Sequence, residues 1–284
     1  MLQQSVLAFA TPAFLFLTGY LINIRKDVKT FCRYIVRLGV MYVVMEGAYL
    51  VMSHFLPVRD GIEELTVSCL LRHLVATPLG PYWYLHTMVI CGAAYYAVQR
   101  ACERWHIHGV VMLTTLLLLA VAYTTPALNI VAVLSYFAGV AAKNSGKPLE
   151  QMLQASWFGI PLMAATFTYG MVCDNGFATQ ESVYSVVMGL GFLSAVVWSD
   201  SRWPRGVKTL LNYTGRNTLP IYLFHPLFTI MSKKLLAQLL AVDSSTTLFC
   251  VVTIFLAVAG SLLIGRISDA VGASILLGQK RLLR

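Results

Sequence analysis

Long apolar runs alternate with short polar segments along most of this 284-residue chain. A helix that crosses a membrane needs roughly 20 mostly apolar residues. Nine runs approach that length, at 5–24, 35–56, 82–98, 108–124, 127–142, 155–173, 183–199, 216–232 and 247–265. The pattern predicts an all-α fold, a polytopic membrane helix bundle with about nine transmembrane helices.

Two segments do not fit this pattern. Residues 62–78 carry too many polar and charged side chains for a lipid-exposed helix, namely Glu63, Glu64, Arg72 and His73. We expect this segment to form an amphipathic helix that lies on the membrane surface or re-enters it. We expect the same of the tail, residues 267–284.

The composition excludes several other classes of protein. Hydrophobic residues make up 58% of the chain and charged residues 12%, whereas a soluble domain carries roughly 25% charged residues. Soluble and disordered chains are therefore excluded. No repeat or long linker divides the sequence, so residues 1–284 are expected to form a single membrane-embedded domain. The six cysteines are scattered without zinc spacing, and we expect no metal.

The basic residues predict an orientation in the membrane. Lys and Arg exceed Asp and Glu by nine, and they stand in groups between the apolar runs, as in cytoplasmic loops. With the N-terminus outside and the C-terminus cytoplasmic, 17 of the 21 basic residues fall on the cytoplasmic side. We predict a multi-pass protein of the cell (inner or plasma) membrane, with the lipid bilayer and not nucleic acid as its partner.

Four ionisable residues lie inside or near the predicted spans. Glu46 and His225 fall mid-span, and His54 and His86 fall nearer the outer ends of their helices. Such groups are costly in a bilayer and often mark functional sites. The alternative is that each is a hydrogen-bonded interior residue that holds helices together.

Arg33 and Arg37 are four residues apart at the cytoplasmic start of the second run, so they share one helix face. With Arg25, Lys26 and Lys29 they form a dense basic patch. The patch is explained as a topology signal that contacts lipid phosphates. For Arg33 and Arg37, an additional role is the binding of the phosphates of an anionic cofactor.

Residues 215–226 (GRNTLPIYLFHP) are unusual for a lipid-facing helix. Asn217 and Thr218 are predicted to cap its N-terminus. Pro226 removes a backbone hydrogen bond mid-span, and the freed carbonyl is tolerated only beside protein or water. We therefore expect His225 to lie next to a cavity.

Five segments resemble, in the same order, sequence elements of the acyltransferase-3 family of integral membrane O-acyltransferases. They are 16–22 (FLTGYLI, with Thr18 in place of the usual Ser), 33–38 (RYIVRL), 82–85 (YWYL), 136–139 (YFAG) and 217–225 (NTLPIYLFH). The residues that we expect to line the cavity are Glu46, Trp83, Asn217, Tyr222 and His225.

The resemblance implies transfer of an acyl group, commonly acetyl, from cytoplasmic acyl-CoA to a hydroxyl of a cell-surface glycan or similar acceptor, including a lipid-linked one. It implies a histidine general base and arginines, here Arg33 and Arg37, that orient the CoA phosphates. Acetyl-CoA is then the donor substrate, and O-acetylation of a polysaccharide is the expected outcome.

The chain departs from the family at its start. Members carry a further helix before the element at 16–22, and that helix ends with the histidine held to be catalytic. Met1 stands only a few residues before the first run, so this helix is expected to be missing. Either the chain is truncated or mis-started, or another residue has taken the role, or the protein is inactive. His54 and His86 are the candidate replacements.

Two other functions remain open from the sequence. A transporter or glycan exporter could use Glu46 and His225 to line a pathway, although the two halves of the chain show no convincing similarity. A non-catalytic membrane scaffold would need the same residues for folding alone.

Overall fold

The computed structural model describes residues 10–55, 61–153, 157–173, 183–243 and 246–284. All regular elements of these residues are helical, which confirms the all-α class. The α-helices are α1 (Ala10–Leu21), α2 (Val28–Phe55), α3 (Val67–Val75), α4 (Trp83–Trp105), α5 (Val110–Thr124), α6 (Ile130–Asn144), α7 (Leu149–Met152), α8 (Gly159–Cys173), α9 (Val183–Ser199), α10 (Arg205–Arg216), α11 (Thr218–Lys233), α12 (Leu236–Val242) and α13 (Thr247–Ala270). Short 3₁₀ turns lie at Gly80–Tyr82, Asp200–Arg202 and Ala273–Leu277.

Each of the nine apolar runs contains one of these helices, because a continuous apolar run has no polar turn residues to interrupt it. Two helices, α2 and α13, have the length and apolar composition to cross a membrane. Three shorter apolar helices are α1, α5 and α6. Residues 5–9 of the first run and 155–156 of the sixth lie outside the described residues.

The chain divides into two compact units. The first comprises Met1–Ile35, Val75–Thr77 and Tyr84–Trp203. The second comprises Val36–Leu74, Pro78–Trp83 and Pro204–Arg284. Helix α2 contributes its first two turns to the first unit and its remaining residues to the second.

In the first unit, α6 packs against both α1 and α5, and α9 packs against both α8 and α1. Ala13 and Phe16 of α1, Ala142 of α6 and Leu193 of α9 form one buried apolar cluster. In the second unit α11 packs along α13. A Cβ at Gly260 would overlap the ring of Phe228, so a glycine there lets the two helices approach closely.

The two polar segments behave differently. Residues 62–78 contain α3, none of whose residues is fully buried, as expected for a surface helix. The tail prediction is wrong. Helix α13 continues to Ala270, and residues 273–284 form a 3₁₀ turn followed by irregular chain instead of an amphipathic helix. Long-range hydrogen bonds, described below, replace helical ones there.

Candidate functional site

The start of α2 carries the two arginines that were predicted to bind phosphates. Arg33 and Arg37 are both exposed and stand one helical turn apart. Asp27 begins the helix, because its Oδ2 accepts a hydrogen bond from the backbone N–H of Thr30 at 3.0 Å. Hydrogen bonds from the side chain and backbone of Thr30 hold the pKa of the Asp27 carboxyl below its ordinary value.

The loop before α2 is hydrogen-bonded to two other basic segments of the first unit. Tyr96 Oη and Arg100 Nη2 donate to the carbonyl oxygen of Lys26 at 3.0 and 2.9 Å. Lys143 Nζ donates to the carbonyl oxygen of Ile22. Basic residues in the C-terminal parts of α4 and α6 therefore bond the loop before α2 in this unit.

Two of the glycine-containing family elements contact each other in the first unit. A Cβ at Gly19 would overlap the carbonyl oxygen of Tyr136, and a Cβ at Gly139 would overlap that of Phe16. The backbones of α1 and α6 are thus in direct contact, which only glycine permits at these two positions. Beside this crossing, Thr18 Oγ1 and Tyr84 Oη share a 2.6 Å hydrogen bond.

Glu46 lies in the second unit and is fully buried. Its Oε1 accepts a hydrogen bond from the backbone N–H of Leu79 at 2.6 Å. Its Oε2 has no hydrogen-bond partner among the residues that the structure describes. Burying a polar oxygen without a partner is costly, so this oxygen is a candidate contact for a substrate hydroxyl.

Two tyrosines connect the turn at 79–82, which bonds Glu46, to α11. Tyr82 Oη donates to the carbonyl oxygen of Leu223 at 2.5 Å, and Tyr222 Oη donates to that of Pro81 at 2.7 Å. The rings of Tyr82 and Tyr222 stand edge to face, with centroids 6.0 Å apart. We refer to Glu46, Tyr82, Tyr222 and His225 as the tyrosine–glutamate cluster.

His225 adjoins this cluster, with its ring centroid 6.1 Å from that of Tyr222. Helix α11 runs through Pro226 without ending there, but Pro226 has no N–H to donate to the carbonyl of Tyr222. His225 Nδ1 lies 2.8 Å from that carbonyl oxygen. Because a carbonyl only accepts, Nδ1 carries the hydrogen, and Nε2 of the neutral ring is left as a basic lone pair.

The other predicted cavity residues occupy different environments. Trp83 is half-buried at the start of α4. Asn217 is fully buried, and its side chain donates to the carbonyl of Tyr213 at 2.9 Å and accepts from the N–H of Arg284 at 2.8 Å.

The prediction that Asn217 and Thr218 cap α11 is wrong. Asn217 precedes the helix but makes no side-chain cap bond, and its φ of −107° and ψ of 27° are not the extended values of a capping residue. The reason is that Asn217 also ends α10, with its own N–H bonded to the carbonyls of Tyr213 and Thr214.

The two histidines proposed as catalytic, His54 and His86, each contact a backbone carbonyl oxygen. His54 is exposed near the end of α2, with Nδ1 3.3 Å from the carbonyl oxygen of Ile62. His86 is 6% exposed and its Nε2 lies 3.1 Å from the carbonyl oxygen of Val75. The roles of these two residues stay predictions.

Sequence reasoning missed Tyr82, Tyr49 and Asp269. Gly80, at φ +60°, packs against the ring of Tyr49, and the turn residues at 78–81 (PLGP) were the available signal for this feature. Asp269 was a lone acid near the end of the last apolar run.

Among the described residues, no group of three or more His, Cys, Asp or Glu is placed to hold a metal ion.

Comparison with known proteins gives one family. A model of the family Acyl_transf_3, described as an acyltransferase domain, matches residues 1–266. No curated protein and no solved structure gives a significant match.

Proposed function

Since this chain belongs to the acyltransferase-3 family, a family of membrane-associated acyltransferases, we propose that it transfers acetyl from acetyl-CoA to a hydroxyl of a cell-surface glycan or similar acceptor. The match over residues 1–266 is the observation that carries the proposal. It extends over residues of both units, which supports treating residues 1–284 as one domain. The transporter alternative gains no support, because the matching family is an acyltransferase.

The donor side of the reaction is assigned to Arg33 and Arg37. Both guanidinium groups are exposed and share one helix face, and such groups form strong charge-assisted bonds with phosphates. The role requires that the start of α2 lie in the cytoplasm, where CoA is found.

The grouping of basic residues supports this orientation, with nine spans, the N-terminus outside and the C-terminus in the cytoplasm. Three segments assigned to the cytoplasm meet where Arg100 and Lys143 bond the carbonyls of Lys26 and Ile22. If they lay on different sides of the membrane, these bonds could not form. The protein is then a multi-pass protein of the cell membrane.

The chemical step is assigned to the tyrosine–glutamate cluster. The acceptor oxygen attacks the thioester carbonyl and its proton passes to His225 Nε2. The C–S bond then breaks, and the CoA thiolate that leaves takes this proton from the His225 imidazolium. Half-burial of His225 limits water at the thioester, and excluding water favours transfer over hydrolysis. Glu46 Oε2 accepts a hydrogen bond from a second, neighbouring hydroxyl of the acceptor, and Trp83 and Tyr222 are the proposed lining of the cavity. His54 is exposed and His86 is hydrogen-bonded in place, so both are second choices for the base.

The proposal is tested with purified protein in lipid nanodiscs that is given radiolabelled acetyl-CoA and envelope glycan. Wild-type protein transfers label, and Arg37→Ala raises KM for acetyl-CoA by about 10- to 100-fold, as expected for the loss of a charged hydrogen bond of roughly 1.5–3 kcal/mol. Lys233→Ala, which removes an exposed charge elsewhere, is the matched control. If inserted wild-type protein neither binds CoA nor labels any acceptor, the proposal fails.

A further inference from the structure

Residues 273–284 lie beyond the part of the chain that the family model matches. We call them the strap. Lys280, Arg281 and Arg284 of the strap are exposed cations, whereas Leu277 and Leu282 are buried. The strap thus buries Leu277 and Leu282 in the second unit, while its exposed side carries these cations together with Ile275 and Leu276.

The backbone of the strap is fixed by Asp269 at the end of α13. Asp269 Oδ1 accepts hydrogen bonds from Ser274 Oγ at 2.6 Å and from the N–H of Leu282 at 2.7 Å, and Oδ2 accepts one from the N–H of Leu283 at 2.9 Å. Both carboxylate oxygens are therefore used to hold the strap.

Asn217 fixes the strap at a second point. This fully buried residue accepts the N–H of Arg284 at 2.8 Å and is itself held through its amide nitrogen by Tyr213. Residues 282–284 are thus attached to two different places in the second unit.

The strap packs against Arg37 at Gly278. Gly278 has a φ of +69°, and a Cβ at this position would lie 3.5 Å from Cγ of Arg37 and 3.6 Å from its Cα. Lys280 and Arg281 follow two and three residues later in the chain.

A topology signal or nonspecific lipid contact does not explain this arrangement. The positive-inside rule depends on the number of basic residues in a loop and not on its conformation, so a loose tail would serve equally well. Four hydrogen bonds that fix the backbone beside an exposed arginine indicate a binding surface with a defined geometry.

We propose that the strap completes the donor site, so that Lys280 and Arg281 bind phosphate groups of acyl-CoA together with Arg37. Asp269 and Asn217 are positioning residues that hold the strap at Arg37. This inference rests on the proposed function. The chemistry it names is binding of clustered phosphates, which CoA and anionic phospholipid headgroups share.

The test measures binding of CoA and of dephospho-CoA, which lacks the 3′-phosphate, to the purified full chain in uncharged detergent. Replacing both Lys280 and Arg281 by Ala weakens CoA binding by at least about tenfold and weakens dephospho-CoA binding less. Lys233→Ala with Lys234→Ala, an equal loss of exposed charge, leaves both affinities unchanged.

The Asp269→Ala variant distinguishes positioning of the strap from simple electrostatic attraction of CoA. This change removes a negative charge, so electrostatics alone predicts tighter CoA binding, whereas release of the strap predicts weaker binding. A melting curve of the variant checks that it is folded. If CoA binds Asp269→Ala more tightly, the inference is wrong.

A second arm distinguishes the two sources of phosphate. Wild-type protein and the Lys280/Arg281 double variant are reconstituted in phosphatidylcholine with and without phosphatidylglycerol. If the variant loses only its response to phosphatidylglycerol and binds CoA normally, the strap contacts lipid and the inference is overturned. If wild-type protein binds no CoA, the proposed function itself fails.

Discussion

A single proline determines how a neighbouring histidine is bonded. Pro226 cannot donate to the carbonyl of Tyr222, and His225 Nδ1 takes that place at 2.8 Å. The neighbouring carbonyl, that of Leu223, receives the hydroxyl of Tyr82. The His225 side chain thereby satisfies the backbone carbonyl that Pro226 leaves without its helical donor, and this bond orients the His225 ring.

Pro226→Ala tests this coupling. An alanine N–H bonds the carbonyl of Tyr222 and releases the His225 ring, so we expect slower transfer together with a helix that gains up to about 3 kcal/mol, less any packing that is lost. Transfer rates and melting temperatures in detergent measure the two effects.

His225→Gln removes the base and lowers kcat by about 100-fold or more.

Pro204→Ala, at an exposed position before α10, is the control and changes neither quantity. Unaltered transfer by His225→Gln would show that another residue is the base, and His54 and His86 would then be tested in the same way.

At the scale of elements, the family motifs are explained by helix packing. The motif at 16–22 and the motif at 136–139 each supply one glycine, and each glycine receives the backbone of the other helix. Without a hydrophobic driving force inside a bilayer, such close approach is a main source of helix association. In this chain the two motifs therefore form one helix–helix contact.

Gly19→Ala and Gly139→Ala are each expected to destabilise the protein by about 1–3 kcal/mol. The added methyl group meets backbone atoms, which cannot rotate away, so α1 and α6 must separate. Thermal unfolding in detergent measures the loss.

Gly39→Ala provides the comparison, since nothing lies within 4 Å of a Cβ at that position in α2. It is expected to be neutral or slightly stabilising, because alanine favours helix. Equal effects at Gly19 and Gly39 would contradict the close-packing explanation.

At the scale of the whole molecule, basic residues distant in sequence gather in two places. In the first unit Arg100 and Lys143 bond the loop before α2, and in the second Gly278, two residues before Lys280, packs against Arg37. Both groups belong to segments that the charge pattern assigns to the cytoplasm, although α2 and α13 alone meet the length criterion for a span among the described residues.

The orientation is tested with single cysteines in a cysteine-free background. A membrane-impermeant maleimide added to intact cells should label Lys234→Cys and not Lys147→Cys, since the first lies in a predicted outer loop and the second in a cytoplasmic one. Both positions are exposed in the structure, so access to the reagent does not differ for local reasons. Labelling of Lys147→Cys alone would reverse the orientation.

Much of the helical framework and part of the site followed from the sequence. Each of the nine apolar runs overlaps one of the thirteen α-helices of the described residues, because an unbroken apolar run in a bilayer has no alternative to intrahelical hydrogen bonds. Helix ends were less predictable. Asn217 had the residue type of a cap, but its place at the end of α10 and its bond to Arg284 decided its conformation.

The sequence by itself determined the helical class and the family. It offered as candidate site residues Arg33, Arg37, Glu46, His54, His86 and His225. Tertiary structure alone decided that Tyr82 bonds Leu223, that Gly19 meets Tyr136, and that Asp269 holds residues 282 and 283. The physical reason is the distance along the sequence between the residues that make contact. Hydropathy and helix periodicity act between residues near in sequence, whereas these contacts join residues up to 141 positions apart, and no local pattern encodes them.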